Sequence, residues 1–98
     1  MNFALQYHED VVRIDIPRLS STMRVRIKRA IEERLTTHPE HFGKPLRRSL
    51  KGYRKLRVGD YRIIFRIEVQ VVKIFVIDHR SIVYLMSSKR IFSGAILL

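Results

Sequence analysis

Apolar residues in the second half of the chain recur at every second position, the spacing of a half-buried β-strand. The alternation runs through Tyr53–Val58 and resumes in Tyr61–Ile67, and the two residues between them, Gly59-Asp60, predict a tight hairpin turn. A further strand is predicted at Val71–Asp78, and a short one at Ile82–Leu85. Because strands joined by such short turns pair with their neighbours in the chain, the pattern indicates an antiparallel meander.

The first half of the chain combines a strand with helices. Alternating apolar residues predict a strand over Asn2–Tyr7. The segment Glu9–Leu19 fits both strand and helix spacing; its acidic start favours a short helix, and Pro17 is expected to end whichever element forms. From Ser20 to Thr37 an apolar stripe predicts an amphipathic helix. The stripe consists of Met23, Ile27, Ala30, Ile31 and Leu35. We therefore predict an α+β fold whose helices pack on one face of the sheet.

A chain of 98 residues can build one modest hydrophobic core, so we expect a single domain over residues 1–98. Hydrophobic residues make up 46% of it, which favours a packed domain over disorder. The absence of cysteine excludes disulfides, thiol nucleophiles and thiolate metal sites. No apolar run reaches the ~20 residues of a membrane helix, and the first ten residues lack the basic start of a secretory signal. We therefore expect a cytoplasmic protein.

Positive charge is concentrated in the middle of the chain. The sequence has 20 Lys and Arg against 9 Asp and Glu, a net charge of +11. The stretch Lys44–Arg66 holds nine basic residues and one acid, Asp60, which gives it a net charge of +8. A basic stretch that runs through predicted strands is typical of a phosphate-binding face, so nucleic acid is the first expected partner. An anionic membrane surface, an acidic protein and a charge excess that only maintains solubility are the alternatives.

Arg62 stands out on the predicted central strand. Alternation places Tyr61, Ile63, Phe65 and Ile67 on one face of that strand, and Arg62, Ile64 and Arg66 on the other. The first set can pack on the amphipathic helix, so Arg62 is expected to point away from the helices. An arginine in the middle of a sheet is costly unless it is solvated or bound to an anion. Arg62 is therefore either a solvated side chain or a functional one.

Two segments, taken in order, resemble the RelE/ParE superfamily of bacterial toxin–antitoxin systems. They are Gly43–Ile67 (GKPLRRSLKGYRKLRVGDYRIIFRI) and Val76–Tyr84 (VIDHRSIVY). The most specific parts are RVGDYR at Arg57–Arg62 and the later HR and VY pairs, and the whole resemblance covers Phe3–Arg90. It implies a strand, two helices, and then three to four antiparallel strands.

The resemblance implies one of two activities on this fold. RelE-like members are metal-independent endoribonucleases that cut mRNA in the ribosomal A site, whereas ParE-like members poison DNA gyrase without cutting RNA. Because one fold carries both activities, the site has to discriminate between them. The RelE-like branch is favoured, with a 2′,3′-cyclic phosphate or 3′-phosphate product. A relative that only binds nucleic acid is a third possibility.

The RelE-like pattern implies roles for particular residues of this chain. Arg62 matches the arginine that stabilises the transition state, Arg80 the one that acts as acid or charge stabiliser, and Tyr84 the base, which also stacks on a nucleobase. A tyrosine, with an ordinary pKa near ~10, acts as a base only where cations favour its ionised form. Further residues are expected to bind the RNA: Lys51, Arg54, Lys55, Arg57 and His79. We expect no metal and no other cofactor.

Several of these residues also have structural interpretations. Tyr84 at the end of a strand is often a half-buried core residue, and Asp78 beside Arg80 fits a turn ion pair. His79 next to a turn is as consistent with a surface residue as with proton transfer.

The expected partners are the mRNA, the ribosome and a cognate antitoxin whose acidic segment would neutralise the basic stretch. The tail Ile91–Leu98 is apolar, and would form a last strand or helix or a surface that the antitoxin covers.

Overall fold

Five strands form one sheet in the computed structural model, which describes residues 2–96 and the side chains of residues 2–91. They are β1 (Ala4–Tyr7), β2 (Lys44–Pro45), β3 (Arg54–Val58), β4 (Tyr61–Glu68) and β5 (Val71–His79). Their order across the sheet is β1-β5-β4-β3-β2. The antiparallel meander is confirmed for β3, β4 and β5, whereas β1 joins the edge of β5 in parallel.

Helical segments precede, interrupt and follow these strands. They are α1 (π-helical Val11–Asp15, then α-helical Ile16–Arg18), α2 (Ser21–Ala30, then π-helical Ile31–Leu35), α3 (Pro39–Phe42), a 3₁₀ turn (Arg48–Leu50) and α4 (Val83–Ile96). Ser20 caps the start of α2, since its Oγ accepts from the Met23 amide at 3.1 Å. Pro17 does not end α1 at the residue before it. The helix widens to π-type bonding there, with Ile16 N–H donating to Val11, and it ends at Arg18.

The face of the sheet covered by α1 and α2, called the near face, holds the larger core. The α2 stripe packs on alternate residues of β3 and β4, as predicted, and Tyr61 and Ile67 flank them. The buried core residues of these strands are Leu56, Val58, Ile63 and Phe65. Tyr7 of β1 also packs on this core, and burial together with the Glu32 carboxylate raises the pKa of its phenol above the ordinary value.

The opposite face, called the far face, is partly covered by α4. Val83 packs there against Ile64 and Val76. Two expectations are therefore wrong: the helices do not all lie on one face, and Ile82–Leu85 is not a strand. The side of α4 that faces the sheet includes residues 83, 86, 87 and 90, which are buried or half-buried and recur with a helical spacing. This spacing allows the helix to cover the apolar middle of the far face.

A β-bulge in β5 changes which residues face which side. Ile64 pairs with Val76 but the next residue of β4, Phe65, pairs with Ile74, so Phe75 is an extra residue in the ladder. Residues of β5 before the bulge, such as Ile74, face the near core. Beyond the bulge the parity is reversed, and Asp78 lies opposite Arg62 on the far face.

An ion pair buried between α1, α4 and β5 holds α4 in place. Arg90 donates to both carboxylate oxygens of Asp15, at 2.9 and 3.1 Å, and to the carbonyl of Phe75 at 2.8 Å. Asp15 also accepts from the Ile77 amide at 2.9 Å. The two side chains are 6% and 1% exposed. The pair thus contacts β5 at the bulge residue Phe75 and at Ile77 just beyond it.

Candidate functional site

Three charged side chains lie side by side across the far face near the β3–β4 turn. Arg62 pairs directly with Arg57 of β3 and with Asp78 of β5, and paired residues project from the same face. In the ladder beside them, Lys55 pairs with Lys44 of β2. The predicted orientation of Arg62 is therefore confirmed, and the sheet places four cations on one uncovered area of the far face.

These cations line a cleft of about 190 Å³. Its lining consists of Phe42, Lys44, Lys55, Arg57 and Arg62. Among the described residues, none of the four basic side chains forms an ion pair with a carboxylate. Like charges held this close repel one another, so the cleft is suited to an anion that contacts several of them together. We call this set of four cations the tip region.

Arg62 is held at the edge of the cleft by the hairpin turn. Its Nη1 donates to the carbonyl oxygens of Gly59 and Tyr61, both at 2.9 Å. A guanidinium has five N–H donors, and Nε and Nη2 have no partner within the described part of the chain. The backbone thus fixes the position of the guanidinium and leaves its remaining donors for a ligand.

Asp78 is the carboxylate next to this arginine. Its Oδ1 accepts from the His79 amide at 2.9 Å, while its buried Oδ2 has no hydrogen-bond partner in the described structure. An unpartnered buried carboxylate oxygen is costly. Asp78 forms no ion pair with Arg80, contrary to the turn pair considered from the sequence.

Tyr84 lies in the first turn of α4 and reaches over β3. Its hydroxyl accepts a hydrogen bond from Lys55 Nζ at 3.0 Å, and that nitrogen lies 5.7 Å from the centre of the ring. The residue is 40% exposed, so it is a surface side chain of a helix rather than a core residue at a strand end. One face of an aromatic ring and a phenol oxygen are thereby placed beside the cation cleft.

Arg80 lies in the turn between β5 and α4, at the tip of the hairpin. Its Nε is 3.7 Å from Asp60 Oδ1, and both side chains are largely exposed. Its amide donates to the Asp60 carbonyl at 2.8 Å. Arg80 is thus next to the β3–β4 turn, but it is not part of the cleft lining.

Three of the expected RNA-binding residues lie elsewhere. Arg54 pairs with Phe65, so it faces away from the cleft, and it donates to the Gly43 carbonyl at 2.9 Å. His79 pairs with Tyr61 on the near side, with the rings 5.7 Å apart in an edge contact. Lys51 is exposed in the turn before β3 and does not line the cleft. Lys55 and Arg57 are the two expected residues that the fold does bring to Arg62.

Lys44 and Phe42 line the cleft without having been singled out as site residues. Lys44 belongs to the basic stretch, but a strand of two residues is too short to show an alternation. Phe42 ends a four-residue helix that begins at Pro39. The only available signal was the proline, which favours the first turn of a helix.

The described part of the chain holds neither a cluster of metal-binding side chains nor a membrane-spanning helix. Within residues 2–96, no group of three or more histidine, aspartate or glutamate side chains is arranged to hold a metal ion. None of the helices in this range has the length and apolar character needed to cross a bilayer.

Comparison with known proteins places this chain in a family. The sequence profile described as "ParE toxin of type II toxin-antitoxin system, parDE" matches residues 5–84. Toxin RelG of Mycobacterium tuberculosis is 42% identical over 52 residues, and Toxin RelE of the same organism is 40% identical over 58. The matches cover 51% and 57% of this chain, and only 60% of the length of each relative.

A solved structure extends the likeness to the fold. The toxin–antitoxin complex RelBE2 of Mycobacterium tuberculosis contains a chain that matches with a TM-score of 0.76 and 29% identity. The match covers 82% of this chain and all of that one. The α+β fold expected from the resemblance is thereby confirmed. Since the family profile spans most of the sequence, from β1 to the first turn of α4, the chain belongs to the ParE toxin family of type II toxin–antitoxin systems.

Proposed function

We propose that this toxin is a metal-independent endoribonuclease that cleaves mRNA, in the ribosomal A site, and so inhibits translation. The observation that carries the proposal is the joint placement of the cation cleft and the Tyr84 phenol, which Lys55 links at 3.0 Å. Cleavage of RNA without a metal requires cations for the phosphate and a base for the 2′-hydroxyl. This part of the far face holds side chains suited to both requirements.

Arg62 and Arg57 would neutralise the phosphate during the reaction. The 2′-oxygen attacks phosphorus, the bond to the 5′-oxygen breaks, and negative charge grows on the non-bridging oxygens. The unpaired donors of Arg62, together with Arg57 beside it, can bind these oxygens in a bidentate manner. Because the backbone already fixes Arg62, little reorganisation is needed when that charge develops.

Tyr84 would remove the proton of the 2′-hydroxyl, and its ring would stack on a nucleobase. The ammonium group of Lys55 donates to the Tyr84 oxygen that would take up this proton. The 2′-hydroxyl proton moves to Tyr84, and the departing 5′-oxygen takes a proton from Arg80 or from solvent water. The products are a 2′,3′-cyclic phosphate and a 5′-hydroxyl.

Arg80 would stabilise or protonate the departing 5′-oxygen. For this it has to leave Asp60, and an exposed ion pair of this kind is worth only about 0–1 kcal/mol. Its place in the turn before α4, close to the hairpin tip, permits such a movement without a change in the sheet.

The relatives support a toxin–antitoxin role. Two of the curated relatives are named toxins, and the matched solved structure is a complex of a toxin with its antitoxin. We propose a cognate antitoxin for this chain as well, with an acidic segment that covers the cations of the tip region. Inhibition would then follow from occupation of the phosphate site.

The experiment measures mRNA cleavage in translating ribosome extracts, with EDTA present, and maps the cut ends. Arg62→Ala should lower the rate on the order of 10²–10³-fold, and Tyr84→Phe on the order of 10²–10⁴-fold. Arg66→Ala is the matched control on the same strand and face, because Arg66 lies outside the cleft. Equal losses for Arg66→Ala and Arg62→Ala would overturn the assignment of the site.

The match to a ParE family profile favours a second candidate, which is poisoning of DNA gyrase. This activity predicts double-strand DNA breaks with intact mRNA after induction of the toxin. That outcome would overturn the nuclease proposal.

A further inference from the structure

A second basic cleft lies between α2 and the outer edge of β3. Its volume is about 220 Å³, and its lining consists of Arg26, Arg29, Ala30, Glu33, Arg34, Arg57, Val58 and Gly59. Four arginines thus surround it, against the single carboxylate of Glu33. We call it the α2–β3 cleft.

The arginines of this cleft lack acidic partners. Within the described residues, Arg26, Arg29 and Arg57 form no ion pair and no side-chain hydrogen bond, and Arg34 lies 5.9 Å from the ring centre of Phe42. Guanidinium groups that share a cleft without a carboxylate repel one another, and an oxyanion bound between them relieves this repulsion. The planar fork of arginine matches the oxygens of a phosphate.

The α2–β3 cleft meets the cation cleft beside Arg62 at the hairpin. Because the proposed reaction takes place in the cation cleft, we call it the catalytic cleft. Arg57 lines both of them. Gly59 lies close to an arginine of each cleft: its carbonyl accepts from Arg62, and a Cβ built on it would lie 3.1 Å from Nη1 of Arg26. A polyanionic chain bound to Arg62 can therefore pass Arg57 at the edge of β3 and continue to Arg26.

The composition of the cleft favours a nucleic-acid backbone over a protein segment. Protein interfaces depend on apolar or aromatic anchors that fill pockets. The apolar lining residues here, Ala30 and Val58, are buried in the near core and offer no such pocket. Phosphate contacts, in contrast, require only the exposed cations.

We propose that the α2–β3 cleft binds backbone phosphates of the single-stranded RNA that flanks the cleavage position. The proposal rests on the function proposed above and adds a second phosphate subsite to it. The catalytic cleft would hold the scissile phosphate, and Arg26 and Arg29 would hold a neighbouring part of the same strand.

The test compares the binding of two fluorescent 2′-O-methyl RNA strands, which cannot be cleaved, of roughly four and roughly sixteen nucleotides. The variant Arg26→Ala/Arg29→Ala should weaken binding of the long strand about tenfold and leave the short strand unchanged. The slope of log affinity against log salt should fall by about 1.4, since each phosphate contact on a single strand contributes about 0.7. Thermal unfolding of each variant verifies that it is folded.

The matched control is Arg13→Ala/Arg18→Ala, which removes two positive charges from α1, outside both clefts. Equal weakening by the control, or none by the α2 variant, would overturn the proposal. If Arg26→Ala/Arg29→Ala loses binding to an acidic antitoxin peptide while its RNA binding is unchanged, the proposal is also overturned and the cleft is assigned to a protein.

Failure of the nuclease proposal has a different signature. If wild-type toxin leaves ribosomal mRNA intact, the proposed activity is wrong whatever the α2 variant does. A second outcome is that Arg62→Ala abolishes cleavage while Arg26→Ala/Arg29→Ala changes the affinity for the long and the short strand by the same factor. In that case only the second subsite is wrong.

Discussion

Two charged areas lie on the same face of the sheet and differ in the pairing of their cations. In the tip region, Lys44, Lys55, Arg57 and Arg62 have no carboxylate partner among the described residues. At the other end of β4, which we call the base region, Glu68 pairs with Arg66 at 3.1 Å and with Lys73 at 3.3 Å. Strand alternation places both areas on the far face, but the tip region has four cations that are unpaired within the described chain, whereas the base region has two cations that share one carboxylate. The unpaired cations are the ones available to a ligand.

Helix α4 covers the far face between the two regions and is anchored by the buried pair of Asp15 and Arg90. Loss of this anchor should have the largest effect on stability. Asp15→Ala removes the buried partner of the Arg90 guanidinium and leaves it only the more exposed Asp10, 3.5 Å from Nε, so the free energy of unfolding should fall by about 3 kcal/mol. Urea denaturation measures this. In Asp15→Ala/Arg90→Met the uncompensated charge is removed, and part of the loss should be recovered. A double variant as unstable as the sum of both single changes would contradict a coupled pair.

Charge reversal in each region tests whether pairing separates a binding area from a structural one. Arg57→Glu places a carboxylate among the cations of the tip region and should weaken single-stranded RNA binding by at least about tenfold. Lys73→Glu makes the same change in the base region and should alter RNA affinity by less than about twofold. Fluorescence anisotropy at fixed salt measures both. Similar losses from the two reversals would eliminate the distinction.

Asp78 is the negative charge nearest to Arg62 along the sheet. Its removal should increase the difference in RNA affinity between the tip region and the base region. Asp78→Asn keeps an oxygen to accept from the His79 amide but removes the charge opposite Arg62. RNA affinity should rise about two- to fivefold, because a partial repulsion of the phosphate is lost. An unchanged or reduced affinity would show that Asp78 does not oppose the ligand.

The smallest effect is expected from releasing the cations of the base region. Glu68→Gln leaves Arg66 and Lys73 without a partner. Because exposed pairs of this kind stabilise by about 0–1 kcal/mol, thermal stability should change little. Weak RNA binding should increase slightly and ribosomal mRNA cleavage should not change. An increase in cleavage would place the base region in the substrate path.

The alternation of β3 and β4 and the stripe of α2 predicted the near face correctly, because residues that pack on one core have to repeat with the period of their element. The orientation of Arg62 followed from the same argument. Alternation with Leu56 and Val58 also places Arg54 on the near face, so its expected role disagreed with the pattern itself. His79 could not be placed in this way, because the bulge at Phe75 reverses the parity of β5. Helix α4 was missed because Ile82–Leu85 is too short to separate a strand period from a helical one.

Placement of Arg90 could not be predicted either. Its partner Asp15 is 75 positions away in the chain, and both read as ordinary surface charges in the sequence. Burial of such a pair depends on the packing of α1 against α4, which is a tertiary property.

The extra residue Phe75 reverses the face of the sheet to which the following side chains of β5 point. Each later side chain of β5 points to the face opposite to the one that uninterrupted alternation would give it. One strand therefore places Ile74 in the near core and Asp78 beside Arg62 on the far face. If the ladder continued without the bulge from the pair of Phe65 and Ile74, Arg62 would lie opposite Ile77 instead of Asp78. The charge beside the central arginine therefore depends on this one extra residue as well as on the residue type at position 78.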